Sequence, residues 1–449
     1  MATFDVVIVG SGTAGSLTAK TIAKAGFNVC MIDQKPRTEI GDKVCGDAIG
    51  KHHFDDLSGI LGSPKGDELE NTIDAIELIS PDKKTVFTVP GDGFIINRHL
   101  FGQRLVNEAI DAGATLIDEA LVIEPITGNG WGVYIKNLKE NKKQKLISSI
   151  IIDASGFRAV IRNKIKMFCN DIIQPTEVEV CYREIRDLKS GLEDIQHCKI
   201  YLTSSFAPGG YYWIFPEGDL RVNSGLGVQM IPNHKNPKKL FQTHVLNNPL
   251  FENSTLVKGG GGVVPTRRPI YSLVDDGLVL VGDSACQVNP IHGGGIGPSM
   301  QAGVIAGNTV ISALEKENTS KESLWDYNLE YMKGYGAKQA GLDLFRILLQ
   351  LMDDQDLNYG MSHKIMTEED ILNASLGKEF KLRITDKIKR VFRGIRKLSL
   401  LNKLRKVAKE MKKIKSMYRN YPKSPEKLND WISHMTNIYQ NVYHICGID

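Results

Sequence analysis

The chain has 449 residues, 42% apolar and 24% charged, the composition of a globular protein too long for one hydrophobic core. Its seven cysteines, at 30, 45, 169, 181, 198, 286 and 446, form no CxxC pair and no metal-ligand spacing, which argues against a disulfide framework and an iron–sulfur or zinc site. With no pattern of a secretory leader at the N-terminus and no run near the roughly 18 apolar residues of a membrane span, a reducing, cytoplasmic setting is expected.

The first element is FDVVIVGSGTAGSLTAKTIAKAGFNVCMID, residues 4–33. An apolar run turns through Gly10, Gly12, Ala14 and Gly15, continues at helical spacing, and ends in a second apolar run closed by Asp33, eighteen residues after Gly15. Strand, glycine turn, helix, strand and acid in that order form the dinucleotide fingerprint of a Rossmann-like unit. The first glycine makes the turn, the second admits a pyrophosphate to the backbone, and the third lets helix and strand pack. Phosphate charge then rests on the helix N-terminus. Asp33 is placed to accept from a ribose diol.

Next comes KVCGDA, residues 43–48, a thiol between a basic residue and a glycine. A free cysteine is ordinarily a small buried hydrophobe, so Cys45 acquires meaning only from context. Residues 71–90 read as a hairpin around Pro-Asp-Lys-Lys, joining a later sheet. Arg98 opens the helical pattern RHLFGQRL, and IIDASGFRAVIR at 151–162 reads as a strand and turn that returns the chain from the nucleotide unit. From about 161 to 265 period-two stretches such as EVEVCYREI and RVNSGLGVQM predict an antiparallel sheet. Within it PGGYYWIFP, residues 208–216, sets Tyr211, Trp213 and Phe215 on one strand face, an apolar aromatic surface that in most proteins is ordinary core.

A second cofactor motif follows at 277–297, GLVLVGDSACQVNPIHGGGIG. The strand ends in Gly282-Asp283, and Gly294, Gly295 and Ile296 lead into a helix. In many flavoproteins an aspartate at this place binds the ribityl chain while the helix points its positive end at the flavin. Residues 331–449 read as mainly helical. Residues 381–427 hold eighteen Lys/Arg against three acids, a net +15 within a total of +4 that leaves the remainder at −11. Val391, Ile395, Leu398, Leu401, Leu404, Ala408, Met411, Ile414 and Tyr418 form an apolar stripe there. Such a helix lies on an anionic membrane or docks on the protein with a solvated outer face; nucleic acid is the weaker partner.

GSGTAG, KVCGDA, PGGYYWIFP and GDSACQVNPIHGGGIG, in this order, make the chain resemble the archaeal geranylgeranyl reductases within the p-hydroxybenzoate hydroxylase-like flavoprotein group. The third motif matches the family pattern through Pro208, Tyr211, Trp213, Phe215 and Pro216. The resemblance implies an α/β (α+β overall) architecture: a Rossmann-like FAD-binding domain in two parts (1–160 and 266–330), an antiparallel substrate-sheet domain (161–265) and a C-terminal helical, membrane-facing region (331–449). It implies non-covalent FAD, held by the glycine turn and Asp33, by Cys45, Gly46 and Asp47, by Arg98, by the backbone at Val122 where the family often has alanine, and by Asp283 and Gly294 to Ile296. It places the three aromatic rings along the substrate channel. The reaction implied is hydrogenation of isolated alkenes in isoprenoid membrane lipids, with Cys45 and His292 as candidate catalytic groups. Electrons are expected from an external donor, NADPH, ferredoxin or another, because no second dinucleotide fingerprint is present. The alternatives are a flavin monooxygenase or halogenase of the hydroxylase group, or a membrane electron-transfer flavoprotein.

Overall fold

The computed structural model describes residues 2–128, 130–232, 236–375 and 395–448. Two eight-stranded sheets carry it. In the first, Leu278–Leu280, Lys143–Asp153, Ala2–Val9, Val29–Ile32 and Thr115–Ile117 lie side by side and parallel. A parallel sheet is covered on both faces, so its strands are apolar throughout instead of alternating. Val6, Val7 and Ile8 are accordingly all fully buried. Val274–Asp275 and the hairpin Ala120–Ile126 and Trp131–Asn137 extend the sheet in antiparallel fashion.

The helices Thr13–Lys24 and Ile296–Glu315 cross closely over this sheet. The approach depends on glycine: a Cβ at Gly303 would sit 2.8 Å from the Ala14 carbonyl oxygen, and one at Gly307 would sit 2.7 Å from Thr21 Cβ. The glycine turn after the first strand and the helix after the second motif are thereby brought together.

The second sheet runs Thr255–Pro265, Val178–Asp187, Arg221–Gln229, Tyr211–Pro216, His197–Leu202, Leu69–Ile79, Val86–Ile96, Ala48–Gly50. The strands of the 71–90 hairpin are members of it. Its pairings are antiparallel with one departure from the antiparallel expectation: Leu69–Ile79 runs parallel to His197–Leu202. A long connection permits either direction, whereas a tight hairpin does not. One face, with Tyr182, Tyr212, Ile214, Leu226 and Val228, packs under Phe241 and Val245. The other face carries Glu179, Cys181, Arg183, Tyr211, Trp213, Phe215 and Asn223 toward the KVCGDA loop, as the contacts below specify.

Helices Ala337–Leu349, Asp354–Ser362, Glu368–Ser375, Ile395–Arg419 and Leu428–Cys446 follow. Of the predicted stripe, Leu401, Leu404, Met411, Ile414 and Tyr418 are buried and Ala408 half-buried, against Ala337–Leu349 and Leu428–Cys446. Val391 and the basic residues before 395 lie outside the described residues, as do the side chains of Ile395 and Leu398. From Leu401 to Tyr418 the apolar face is therefore spent inside the protein, and what faces outward there is charge: Arg405, Lys406, Lys409, Lys412, Lys413 and Arg419 are exposed. Among the described residues no helix is long and apolar enough to cross a membrane.

Candidate functional site

At the glycine turn, Gly10 has φ +103°, a conformation other residues rarely adopt, and a Cβ there would lie 2.4 Å from the Ala154 carbonyl oxygen. A Cβ at Gly15 would lie 2.0 Å from the Gly10 carbonyl oxygen. Gly12 differs, since a Cβ there would meet nothing within 4 Å. Two glycines thus serve packing and one borders open space. Asp33 anchors the turn from the next strand end, its carboxylate accepting from the Ser11 N–H at 2.9 Å and the Lys35 N–H at 3.0 Å. Arg98, the first residue of helix Arg98–Asp111, donates from Nη2 to Thr13 Oγ1 at 2.5 Å. Its Nε and Nη1 are buried without a hydrogen-bond partner, as is Ser11 Oγ. Unsatisfied donors beside open space are rare in a finished interior and mark a place where a ligand supplies the acceptor. Val122 has its side chain buried in the core of the first sheet, on a strand whose Ala120 N–H donates to the Asp33 carbonyl at 2.9 Å.

The KVCGDA loop is fastened to the second sheet. The Cys45 carbonyl accepts from Arg183 Nε and from Asn223 Nδ2, each at 3.0 Å. Asn223 Nδ2 also donates to Asp47 Oδ2 at 2.8 Å, and Arg183 Nη2 lies 3.5 Å from the same oxygen. Asp47 holds φ +62°, and its N–H donates to Cys45 Sγ at 3.3 Å. Burial pushes the Asp47 carboxyl up to about 6 against the pull of Arg183. The Cys45 thiol is likewise pushed up by burial and then by Asp47, so it keeps its proton at neutral pH. On the far side of the loop, Lys43 Nζ reaches Asp283 Oδ2 at 2.9 Å, joining the two motifs across the site.

The aromatic residues share the sheet face that this loop abuts. A Cβ at Gly46 would meet Phe215 at 3.0 Å, and one at Gly225 would lie 2.3 Å from Trp213 Cζ2, so the indole lies directly over glycine. Trp213 Nε1 donates to Asn223 Oδ1 at 3.2 Å. The Tyr211–Trp213 and Trp213–Phe215 ring centroids are 6.0 and 6.2 Å apart, a continuous wall. The Tyr211 hydroxyl donates to the His292 carbonyl at 2.7 Å, closing one end against the second motif. The His292 ring folds back over Gly294, accepting its N–H at 3.1 Å, and burial brings its pKa down to about 4. It is a neutral imidazole. His53 is likewise brought down to about 3, first by burial and then by His52 and Lys338. Cys286 is fully buried beside Arg162 as a packed residue.

The glycine turn, the KVCGDA loop, the second motif and the aromatic strand are thus linked to one another, between the first sheet's carboxyl ends and one face of the second sheet. Sequence reasoning missed Lys43, Arg183 and Asn223. Lys43 stood inside a quoted motif, and its charge opposite to Asp283 was the available signal. The other two sit in strands whose neighbours were unknown.

A family model described as Geranylgeranyl reductase catalytic domain matches residues 177–264, and one described as Glucose inhibited division protein A matches residues 5–64. The chain is 41% identical over 443 residues to the digeranylgeranylglycerophospholipid reductase of Sulfolobus acidocaldarius, covering 97% of each chain. It is 32% identical to a protein of the same description from Methanothrix thermoacetophila, over 81% of this chain and 92% of that one. Its fold is similar to that of a geranylgeranyl bacteriochlorophyll reductase-like protein from Thermoplasma acidophilum, with a TM-score of 0.76 at 22% identity over 92% of this chain and 100% of the other. A flavin-dependent brominase shares the fold at TM-score 0.61 and 18% identity, over 87% and 98% of the two chains.

Proposed function

Because the chain belongs to the digeranylgeranylglycerophospholipid reductase family, we propose that it is an FAD-dependent reductase hydrogenating the isolated double bonds of geranylgeranyl chains in archaeal-type membrane lipids. The observation that carries this reading is the aromatic wall of Tyr211, Trp213 and Phe215, set against the loop of Cys45 to Asp47. An apolar face of this kind takes an alkene chain and excludes water. FAD fits the residues at the glycine turn: the unpartnered Arg98 nitrogens and the open space over Gly12 suit a pyrophosphate, and Asp33 and Asp283 would accept from its ribose and ribityl hydroxyls. When bound, it supplies hydride.

The protein's own part is to orient the chain and to stabilise charge. An isolated trisubstituted alkene has no carbonyl to accept negative charge, so positive charge builds on the tertiary carbon. The wall of rings eases that charge by cation–π attraction. The Cys45 thiol, still protonated, lines the place where alkene and cofactor meet, and His292 shapes the loop beneath. Cys45→Ala is expected to keep its flavin and slow lipid reduction by about tenfold or more. An unchanged rate removes the thiol from the site.

The test of the reading is mass spectrometry of a digeranylgeranyl glycerophospholipid incubated anaerobically with the FAD-loaded protein and dithionite. Each reduced double bond adds about two mass units, one hydride and one proton. An unchanged lipid beside a bleached flavin refutes the reading and favours a monooxygenase, for which oxygen consumption is the next assay.

A substrate that is itself a bilayer lipid has to be drawn from a membrane. The exposed cations of Ile395–Arg419 support peripheral attachment to an anionic surface by charge, the described part of the apolar stripe being packed inside the protein. Each such residue contributes about 1 kcal/mol near an anionic leaflet, screened by salt. Replacing Arg405, Lys406, Lys409 and Arg419 by glutamate is expected to abolish sedimentation with anionic liposomes at low salt, while flavin content is retained. Undiminished sedimentation counts against this surface.

A further inference from the structure

Saturating an alkene takes a proton as well as a hydride, and the histidines near the site are poor sources. His292 and His53 are neutral imidazoles at neutral pH, whose N–H is far less acidic than a carboxylic acid. On the reductase reading above, we propose that Glu179 is the acid that supplies the proton added to the alkene.

Glu179 shares its strand face with Cys181 and Arg183, the side toward Cys45. It is 8% exposed, and its Oε2 has no hydrogen-bond partner. Oε1 accepts from Gln350 Nε2 at 3.3 Å. Arg346, the cation nearest to it in effect, is committed elsewhere: to Asp343 at 2.9 Å, the Thr176 carbonyl at 2.8 Å and Gln350 Oε1 at 2.5 Å. Burial pushes the Glu179 carboxyl up to about 8, with Arg346 and Gln350 opposing, so it is a carboxylic acid at neutral pH.

The free oxygen faces the start of the aromatic strand. A Cβ at Gly210, next to Tyr211, would lie 3.2 Å from Oε2. Across the sheet Cys181 pairs in register with Gly227, where a Cβ would lie 3.2 Å from Cys181 Sγ, so the absence of a side chain there keeps this face open. The titratable groups that face Glu179 are Cys181 on its own strand and Tyr211 on the aromatic strand, with Arg346 from the helix Ala337–Leu349. Burial holds the Cys181 thiol and the Tyr211 phenol protonated, which leaves Glu179 as the readiest proton donor of the group. A buried carboxyl with an unpaired oxygen costs stability, and a purely structural position would be filled by a neutral or apolar side chain.

In the step, the alkene π pair takes the carboxylic proton at the less substituted carbon, leaving Glu179 as carboxylate and positive charge on the tertiary carbon. When bound, reduced FAD would supply the hydride that closes that carbon. One π bond becomes two C–H bonds, both electrons come from the cofactor, and Glu179 regains its proton from water.

The experiment compares wild type and Glu179→Gln as full-length, FAD-loaded, dithionite-reduced protein acting anaerobically on digeranylgeranyl glycerophospholipid across neutral and alkaline pH, in H2O and D2O. Wild type should lose rate about tenfold per pH unit above about 8 and show a solvent isotope effect. Glu179→Gln should be slower by roughly 10²-fold or more, with that alkaline limb absent and its absorption spectrum and melting retained. Glu179→Asp should recover part of the rate and restore an alkaline limb, which keeps the idea open to refutation even where the glutamine variant binds FAD poorly. An active wild type matched in rate and pH profile by Glu179→Gln, or an aspartate variant without the limb, overturns the proposal alone. A wild type that bleaches but leaves the lipid unchanged overturns the reductase reading, and this proposal with it.

Discussion

Replacing Asp343 by alanine is expected to destabilise the protein by about 3–5 kcal/mol, because it strands buried guanidinium charge. Asp343 is fully buried on the helix Ala337–Leu349. It accepts from Arg346 Nε at 2.9 Å, from Arg268 Nη1 at 3.4 Å and from the Tyr439 hydroxyl at 2.7 Å. Arg268, in the segment leaving the second sheet, also pairs with Glu177 at 2.9 Å and lies 4.1 Å from the Tyr439 ring centroid. One carboxylate therefore ties the last helix, the helix Ala337–Leu349 and the exit from the sheet. The alanine variant should melt lower by on the order of 10 °C. Burial pushes the Asp343 carboxyl up, but Arg346, Arg268 and Tyr439 together hold it below the usual range. A depressed folded-state pKa gives stability that is present above the unfolded value, about 3.9, and lost as pH falls through the folded one. The gap between wild type and variant should be widest at neutral pH and close in strong acid. Equal urea midpoints at neutral pH would show that the helices are held by apolar packing alone.

The parts of this architecture that were legible in the sequence are those that local chemistry dictates. Gly10 and Gly15 announce a turn because only glycine fits the contacts they make, with Gly12 between them bordering open space, and the apolar runs at 6–9 and 29–32 announce strands covered on both faces. Tyr211, Trp213 and Phe215 follow from period two. What stayed hidden depends on neighbours distant in the chain. Arg183 and Asn223 hold the Cys45 loop only because their strands are adjacent, and nothing in EVEVCYREI or RVNSGLGVQM states that adjacency. The stripe on Ile395–Arg419 was visible, but periodicity cannot say what covers an apolar face; here it is Ala337–Leu349 and Leu428–Cys446. Glu179 was hidden for the same reason, an acid in an alternating strand whose burial comes from the helix that ends near Gln350.

Arg183→Met should release the Cys45 loop, with a loss of flavin affinity and of lipid reduction together. Arg183 is 3% exposed, and its guanidinium does two things at once, donating to the Cys45 carbonyl at 3.0 Å and standing 3.5 Å from Asp47 Oδ2. Methionine keeps most of the volume and neither interaction. Asp47 then loses the charge that most opposes its burial, and removing one partner of such a pair costs about 3–5 kcal/mol. The pH dependence runs opposite to that of Asp343. With the folded carboxyl at about 6 and the unfolded one near 3.9, the folded state holds the proton longer, so stability from this group is greatest below about pH 4 and falls as pH rises to about 6. The two-unit gap corresponds to about 3 kcal/mol. Without Arg183 the folded pKa climbs further, and the decline deepens and extends toward neutral pH. Melting measured at mildly acidic and at neutral pH should therefore separate Arg183→Met from wild type far more at neutral pH. Asp47→Asn, which cannot ionise, should flatten the decline in either background. If Arg183→Met melts in parallel with wild type at both pH values and keeps its flavin, the loop is held by Asn223 and Lys43 instead, and Asp47 is not the charge that Arg183 serves.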